Sequence, residues 1–257
     1  MGFPPGRRPA VWCAPTTMTS ITQRLILAFA FLPACALAQP MFPSELGVFT
    51  GQCDVGAVSR PGTTYFDPAH GTYTVGSSGA NMWFGEDAMH FVWKKASGDG
   101  SIAADVSFLG TSSQGHRKAC LVIRQNLSPG SAYVDVAVHG DGLTSLQFRD
   151  AEGAPTKEIQ ANLASPQRVR LDRIGDTVYL SVARAGEEPH PSGASFPLHL
   201  DEPFYVGLAV SAHDNAAFET AVFSKVEIGA ASAAAAAPQP GLKIITLPSG
   251  DRRVSER

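Results

Sequence analysis

The feature of this sequence that most constrains its fold is an alternation of apolar and polar residues with a period of two. It recurs through the middle of the chain, in segments 89–94, 102–108, 133–139, 144–149 and 204–211. Successive side chains of a β-strand point to opposite faces, so this pattern is typical of strands that bury one face. No long segment shows helical spacing with caps. The middle of the chain is therefore predicted to consist of strands.

Turn-forming residues separate these segments. Gly175-Asp176 lies between the alternating segments 168–174 and 177–183, which is the signal of a two-residue hairpin because glycine supplies the positive φ that such turns need. Strands that recur this often without helices between them favour antiparallel pairing. We predict an all-β fold, a two-sheet antiparallel sandwich, over residues 41–229.

The N-terminal segment has the pattern of a secretory signal peptide. Arg24 precedes an apolar run that begins at Leu25 and ends in Ala36-Leu37-Ala38, a small-x-small cleavage signal. The run is too short to span a bilayer, which takes about 20 residues. We predict that residues 1–38 are removed, with 1–17 an over-long start before Met18. The mature protein is then periplasmic or secreted and keeps no transmembrane segment.

The charge of the chain excludes one class of partner. Its formal net charge is −3, and the segment 1–38 contains three arginines and no acidic residue. The mature chain is therefore more acidic than the whole and has no basic stripe. Nucleic acid is not an expected partner of such a surface.

Two cysteines, Cys53 and Cys120, remain after cleavage. In an oxidising compartment they either form one disulfide or stay separate as buried thiols. The sequence leaves both alternatives open, because pairing requires Cα atoms within about 7 Å of each other.

The alternation stops near Ile228. Residues 230–242 are rich in alanine and proline, which is typical of a linker. The tail 243–257 follows, and the segment 242–247 at its start has the composition of one strand. Since one strand cannot bury its own face, this tail either docks elsewhere or begins a further domain.

Several segments in order resemble a known family. They are 54–56, 66–75, 79–83, 91–95, 119–125, 146–149 and 205–213, and they are similar to the concanavalin A-like lectin/glucanase sandwich domains of bacterial exported proteins, many of them domains of unknown function. The resemblance covers residues 47–228 and implies a concanavalin A-like jelly roll. In some members a TolB-like β-propeller follows, and the resemblance implies that the tail 243–257 is the opening of one.

The glucanases of this superfamily carry Glu-x-Asp-x-(x)-Glu, whose two glutamates act about 5 Å apart as nucleophile and acid/base. This chain lacks that spacing: Glu86 and Asp87 are adjacent, and Glu187-Glu188 lie in a predicted loop. We therefore predict that the chain is not an enzyme but a non-catalytic module that binds a glycan or another polyhydroxylated ligand. The alternatives are an interaction or spacer domain of a TolB-like envelope protein and a glycoside hydrolase with an unrecognised site. The expected partner is a glycan or an envelope protein.

Hairpin register predicts a polar patch on the outer face of three neighbouring strands. Pairing of 119–124 with 133–138 and of 133–138 with 144–149 gives one row of side chains, Arg124-Tyr133-Arg149, and beside it a second, Val122-Asp135-Gln147. Cross-strand neighbours lie about 5 Å apart, so the two rows form one surface.

Planar hydrogen-bonding groups beside an aromatic ring are suited to a sugar. The alternative is a solvated sheet face with a weak ion pair from Asp135 to one of the arginines. The candidate ligand-binding residues are Arg124, Tyr133, Asp135, Gln147, Arg149 and, from a loop at the rim, Trp83. His139, which continues the strand, is predicted to be a loop-edge residue rather than a catalyst.

Asp54 and Asp214 are the candidate metal ligands, because many sandwiches of this class bind calcium. The spaced carboxylates of a calcium loop are missing, and the segment His213-Asp214-Asn215 is more typical of a turn closed by Asp and Asn side chains. We predict no cofactor, with calcium as the alternative.

Overall fold

The computed structural model describes residues 46–256, and most of them belong to β-strands. The strands are β1 (Gly51–Val55), β2 (Thr63–Asp67), β3 (Thr72–Ser77), β4 (Met89–Ala96), β5 (Gly100–Phe108), β6 (Lys118–Arg124), β7 (Tyr133–His139), β8 (Thr144–Arg149), β9 (Lys157–Gln160), β10 (Arg168–Ile174), β11 (Thr177–Ala183), β12 (His190–Pro197), β13 (Phe204–Ser211), β14 (Glu219–Gly229), β15 (Leu242–Thr246) and β16 (Arg252–Glu256).

Two sheets form a sandwich. The large sheet has the strand order β1-β4-β13-β6-β7-β8-β9-β16-β15, and the small sheet has the order β12-β11-β10-β5-β14-β3-β2. All strand pairs are antiparallel except the pair of β9 and β16, which is parallel. The predicted hairpin is present, with Ile174 paired to Thr177 and Gly175 at a φ of 56°. The prediction of an all-β, two-sheet antiparallel jelly-roll sandwich is confirmed.

The main core lies between the sheets and contains the apolar members of the alternating segments. Val134, Val136, Leu146 and Leu171 are fully buried there. The large sheet also buries much of its outer face, the face turned away from the small sheet. All residues of β6, β7 and β8 are buried, because loops cover that face. The expectation of a half-exposed sheet is wrong for these three strands.

A bridge between Cys53 and Cys120 is also ruled out. Cys120 is a buried free thiol. Both residues lie on the outer face in one cross-strand row, which runs from Cys53 through Phe91 and Ala209 to Cys120. Three strand spacings separate them, about 14 Å, whereas a disulfide needs Cα atoms within about 7 Å.

The segment after the sandwich packs onto it. The predicted linker 230–242 contains a 3-10 helix, Ala233–Ala236. The tail forms the hairpin β15–β16, and β16 extends the large sheet at β9. Val254 of this hairpin is 1% exposed and belongs to the main core.

The predicted signal peptide, residues 1–38, lies outside the described residues. Within 46–256, no helix is long and apolar enough to cross a membrane.

Candidate functional site

The structure has the register that the hairpins predict. Arg124 pairs with Tyr133 and Tyr133 with Arg149, while Asp135 pairs with both Val122 and Gln147. The two rows therefore lie side by side on the outer face of the large sheet.

The side chains of these rows do not form an open surface. Arg124, Tyr133, Asp135 and Arg149 are 0% exposed, and Gln147 is 1% exposed. The prediction of an exposed patch is wrong for these residues, because three loops fold over them. These loops are the segments 78–88, 125–132 and 150–156.

Asp87 of the first loop is the counterion of both arginines. Its carboxylate accepts hydrogen bonds from Arg149, with Nη2–Oδ1 at 2.8 Å and Nη1–Oδ2 at 3.0 Å, and lies 3.4 Å from Nη2 of Arg124. Asp87 is therefore the ion-pair partner of the arginines, a role that the sequence analysis had given to Asp135. The ion pairs are buried, so they connect the loop to the sheet rather than present charge to a ligand.

The two arginines also donate to backbone carbonyls of all three loops. Arg149 donates to Phe84 O at 2.7 Å and to Ala154 O at 2.9 Å, and Arg124 donates to Ser128 O at 2.6 Å. The Tyr133 hydroxyl lies 3.0 Å from Oγ1 of Thr156. Since buried donors and acceptors need partners, this end of the outer face is a closed, structural network.

The other end of the outer face is open. A cleft of about 420 Å³ lies there, and we call it the histidine cleft. It is lined by Asn81, Trp83, Phe84, His116, Lys118, His139, Leu143, Gln147, Glu158 and His213. Of the predicted ligand-binding residues, only Gln147 and Trp83 belong to it.

Lys118 forms the floor of the histidine cleft and is 2% exposed. Its ammonium donates to Asn81 Oδ1 at 3.0 Å, to Met82 O at 2.9 Å and to Gln147 Oε1 at 3.1 Å. It also lies 5.3 Å from the ring centre of Trp83. Burial lowers the pKa of Lys118. All three of its donors are used, so Lys118 orients the amides of Asn81 and Gln147 and the Trp83 ring.

Three histidine rings surround the mouth of the cleft. His116 lies 5.9 Å from His139 and 5.3 Å from His213, measured between ring centres. Burial lowers the pKa of His139 to about 4 and also lowers the pKa of His213. His139 Nδ1 lies 2.9 Å from Leu143 O, an acceptor, so Nδ1 carries the proton and Nε2 is left with a lone pair. At neutral pH His139 is therefore an uncharged hydrogen-bond acceptor.

His139 corrects the sequence interpretation, which made it a loop-edge residue. It is 4% exposed and pairs with Lys118 across β6 and β7. Extending the same register by two more rows on this face would have placed these two residues together. His213 and Glu158 gave no comparable signal, because their positions depend on long connections between strands.

Asp135 lies behind the cleft, in the row between Val122 and Gln147. Its carboxylate oxygens are buried and form no close, well-aligned hydrogen bond with a described residue, although the Cys120 thiol and the Gln147 backbone amide approach them and favour the charged form. Burial raises the pKa of Asp135 to about 8, although the nearby charge of Lys118 opposes the shift. The carboxyl group is therefore largely protonated at neutral pH.

The two candidate metal ligands have structural partners. The Asp54 carboxylate accepts from Gly62 N at 3.0 Å and contacts His90 Nδ1 at 2.8 Å. Asp214 Oδ1 accepts from Ala216 N at 2.8 Å and closes a turn. In the described part of the chain, no group of three or more His, Cys, Asp or Glu side chains could hold a metal ion. The absence of a cofactor stays a prediction.

Comparison with solved structures places this architecture among known folds. The chain is similar to a functionally unknown protein from Saccharomyces cerevisiae, with a TM-score of 0.53, 13% identity, and coverage of 70% of this chain and 97% of that one. This similarity agrees with the two-sheet sandwich fold of the chain. No protein-family model matches the chain, and no curated protein matches it.

Carbohydrate-active enzymes are also among the similar structures. One is a family 7 alginate lyase, A1-II′, with a TM-score of 0.44, 11% identity, and coverage of 65% of this chain and 83% of that one. Another is a prokaryotic β-1,3-1,4-glucanase (lichenase) derived from a mouse hindgut metagenome, with a TM-score of 0.42, 10% identity, and coverage of 76% and 96%.

These similarities correct the prediction that the chain is not an enzyme. That prediction excluded catalysis because the glucanase motif is missing. The similar structures include lyases as well as a glucanase. The absence of the two-glutamate motif excludes one reaction mechanism only.

Proposed function

We propose that the histidine cleft binds a saccharide. The proposal rests on one observation: two accessible aromatic rings lie beside planar polar side chains that hydrogen bonds hold in place at the floor of the cleft. Phe84 is 71% exposed and adjoins Trp83, whose ring lies over the Lys118 ammonium. Aromatic rings stack on the apolar face of a pyranose, while amide and imidazole groups bind its hydroxyls.

The size and charge of the histidine cleft fit such a ligand. Its volume of about 420 Å³ is in the range of small-molecule sites. His139 and Gln147 are held by their own hydrogen bonds, so little ordering entropy is lost when a ligand binds. The buried cation that lines the cleft, Lys118, has all three of its donors in use, which favours recognition through hydroxyl groups over a direct salt bridge.

The test is a glycan array with the whole protein, followed by calorimetric titration of the best saccharide. Trp83→Ala is expected to weaken binding about tenfold or more, since stacking of a ring on an aromatic side chain contributes about 1–3 kcal/mol. Tyr65→Ala is the matched control, because Tyr65 is 65% exposed but lies on β2 of the small sheet. Equal affinities of the two variants, or no saccharide binding at all, would contradict the proposal. No binding would favour the spacer-domain alternative.

A second candidate function is turnover of the bound saccharide, favoured by His139. Its Nε2 is unprotonated at neutral pH and can accept a proton. Because the pKa of His139 is about 4, it is a weak base, and turnover is expected to be slow. We expect wild-type protein to release products from the bound oligosaccharide, detectable by mass spectrometry, and His139→Gln to lose this release while still binding. Intact oligosaccharide after prolonged incubation with the wild type would refute this candidate and leave saccharide binding unaffected.

We also propose that the protein acts in the periplasm or outside the cell, because of the signal-peptide pattern at 1–38. N-terminal sequencing of exported protein is expected to begin at Gln39.

A further inference from the structure

A second cavity lies between the two sheets, at the end of the sandwich where β4 leads into β5. Its volume is about 290 Å³, and its apolar wall includes Ile123, Phe204, Val206 and Ile228. Three of these side chains, those of Ile123, Phe204 and Val206, are at most 5% exposed. This inter-sheet cavity is therefore an open end of the main core and is separate from the histidine cleft, which is on the outer face.

Two cationic side chains point toward this space from opposite sheets. Lys94 follows the core residue Val92 by two positions on β4, and Arg173 follows Leu171 by two positions on β10. Because side chains of a strand alternate between its faces, both cations lie on the inner faces. Both line the inter-sheet cavity.

Arg173 has one buried nitrogen without a hydrogen-bond partner among the described residues. Arg173 is 5% exposed, and its guanidinium lies 4.7 Å from the ring centre of Phe204. Its Nη1 donates to Gly98 O at 2.9 Å, but its buried Nε has no partner among residues 46–256. Its terminal nitrogens form ion pairs with the half-exposed carboxylates of Asp176 and Glu202, at 3.6 Å and 3.8 Å.

Lys94 is half-buried and forms no ion pair with any described residue. Asp99, at the mouth of the cavity, has its Oδ1 occupied by the Gly175 amide at 2.7 Å. An inward-facing donor without an acceptor is unfavourable. Cationic donors beside an apolar wall therefore suit a ligand with an anionic head and an aliphatic body.

We propose that the inter-sheet cavity binds a short aliphatic carboxylate, an acid of about eight carbons. Its carboxylate accepts from Arg173 Nε and Lys94 Nζ, and its chain lies against Phe204, Val206 and Ile228. The volume is at the low end of the range for ligand pockets, about 300–1,000 Å³, which suits a short acid and excludes a two-chain lipid. This site is independent of the proposed saccharide site.

The test is a calorimetric titration of the whole protein with octanoate, with octan-1-ol as the uncharged comparison. We expect octanoate to bind and octan-1-ol to bind at least tenfold more weakly. Lys94→Gln is expected to weaken octanoate binding about tenfold, the effect of losing one charge-assisted hydrogen bond. Lys95→Gln is the matched control, since it makes the same charge change on the outer face, where Lys95 lies over the Tyr205 ring.

Three results would overturn the proposal. They are no octanoate binding by the wild type, equal binding of octanoate and octan-1-ol, and equal weakening by Lys94→Gln and Lys95→Gln. Trp83→Ala distinguishes the two sites: it is expected to leave octanoate binding unchanged, and a loss there would assign octanoate to the histidine cleft. Saccharide binding is expected to survive Lys94→Gln.

Discussion

At the scale of residues, Tyr133 shows that the pairing register of a strand can be predicted correctly while the exposure of its side chain is predicted wrongly. The sequence analysis predicted Tyr133 to be an outward-facing, ligand-binding residue of the polar patch. The register is as predicted, yet Tyr133 is 0% exposed, because the loops bury the outer face as well.

Tyr133→Ala is therefore expected to destabilise the protein rather than to remove a ligand contact. Truncation of a buried aromatic ring costs about 3–5 kcal/mol, and here it also removes the contact with Thr156. Urea unfolding measures the effect, with Tyr65→Ala as an exposed control expected within about 0.5 kcal/mol of the wild type. A Tyr133→Ala variant as stable as this control would contradict the buried position.

Asp135 gives a pH dependence of stability with a defined sign. Its pKa is about 8 in the folded protein and about 3.9 in an unfolded chain, so the folded state holds one more proton between these values. Stability therefore falls as pH rises through this window. His139, with a folded pKa of about 4 against about 6.5 unfolded, acts in the opposite direction up to about pH 6.5.

Between about pH 6.5 and pH 8, Asp135 is expected to change the free energy of unfolding with pH, and His139 is not. The unfolding free energy of the wild type should fall across this interval, and Asp135→Asn should remove most of the decrease. Denaturant titrations at several pH values measure it, with Asp150→Asn, at an exposed position, as the control. The same slope in Asp135→Asn and wild type would show that another group titrates. Burial lowers the pKa of Lys118, so the comparison stops at pH 8.

At the scale of elements, the loop 78–88 determines which part of the outer face stays open. Its backbone folds back on itself, with Met82 bridged to Asp87 and Ala88 N donating to Asn81 O at 2.7 Å. Gly79 permits this close return, because a Cβ there would overlap the backbone of Ala88. The same loop closes one end of the face with Asp87 and supplies Trp83 and Phe84 to the other end.

The C-terminal hairpin is a second element whose role depends on its surroundings. As a sequence, 242–247 was a strand without a partner. In the fold, β16 pairs with β9 and Val254 enters the core, so the hairpin completes the large sheet. Strand β15 becomes the edge, where Ile244 and Ile245 are 43% and 37% exposed.

At the scale of the whole molecule, the histidine cleft and the inter-sheet cavity are two openings with different chemistry. The histidine cleft lies where the loops leave the outer face of the large sheet uncovered, and polar groups with aromatic rings line it. The inter-sheet cavity lies where the core itself is open, and two cations above an apolar wall line it. Different ligands are therefore expected at the two openings, a saccharide at the first and an aliphatic carboxylate at the second.

The sequence by itself determined the strands, the hairpins and their register, because the period of two and the turn residues act between near neighbours. Arg124, Tyr133, Asp135 and Gln147 could thus be placed in their rows without a structure. Only the tertiary structure decided that all four are buried, since the pairing of Asp87 with both arginines joins segments distant in sequence. The histidine cleft is likewise built by five separate parts of the chain, and no local pattern specifies where such parts meet.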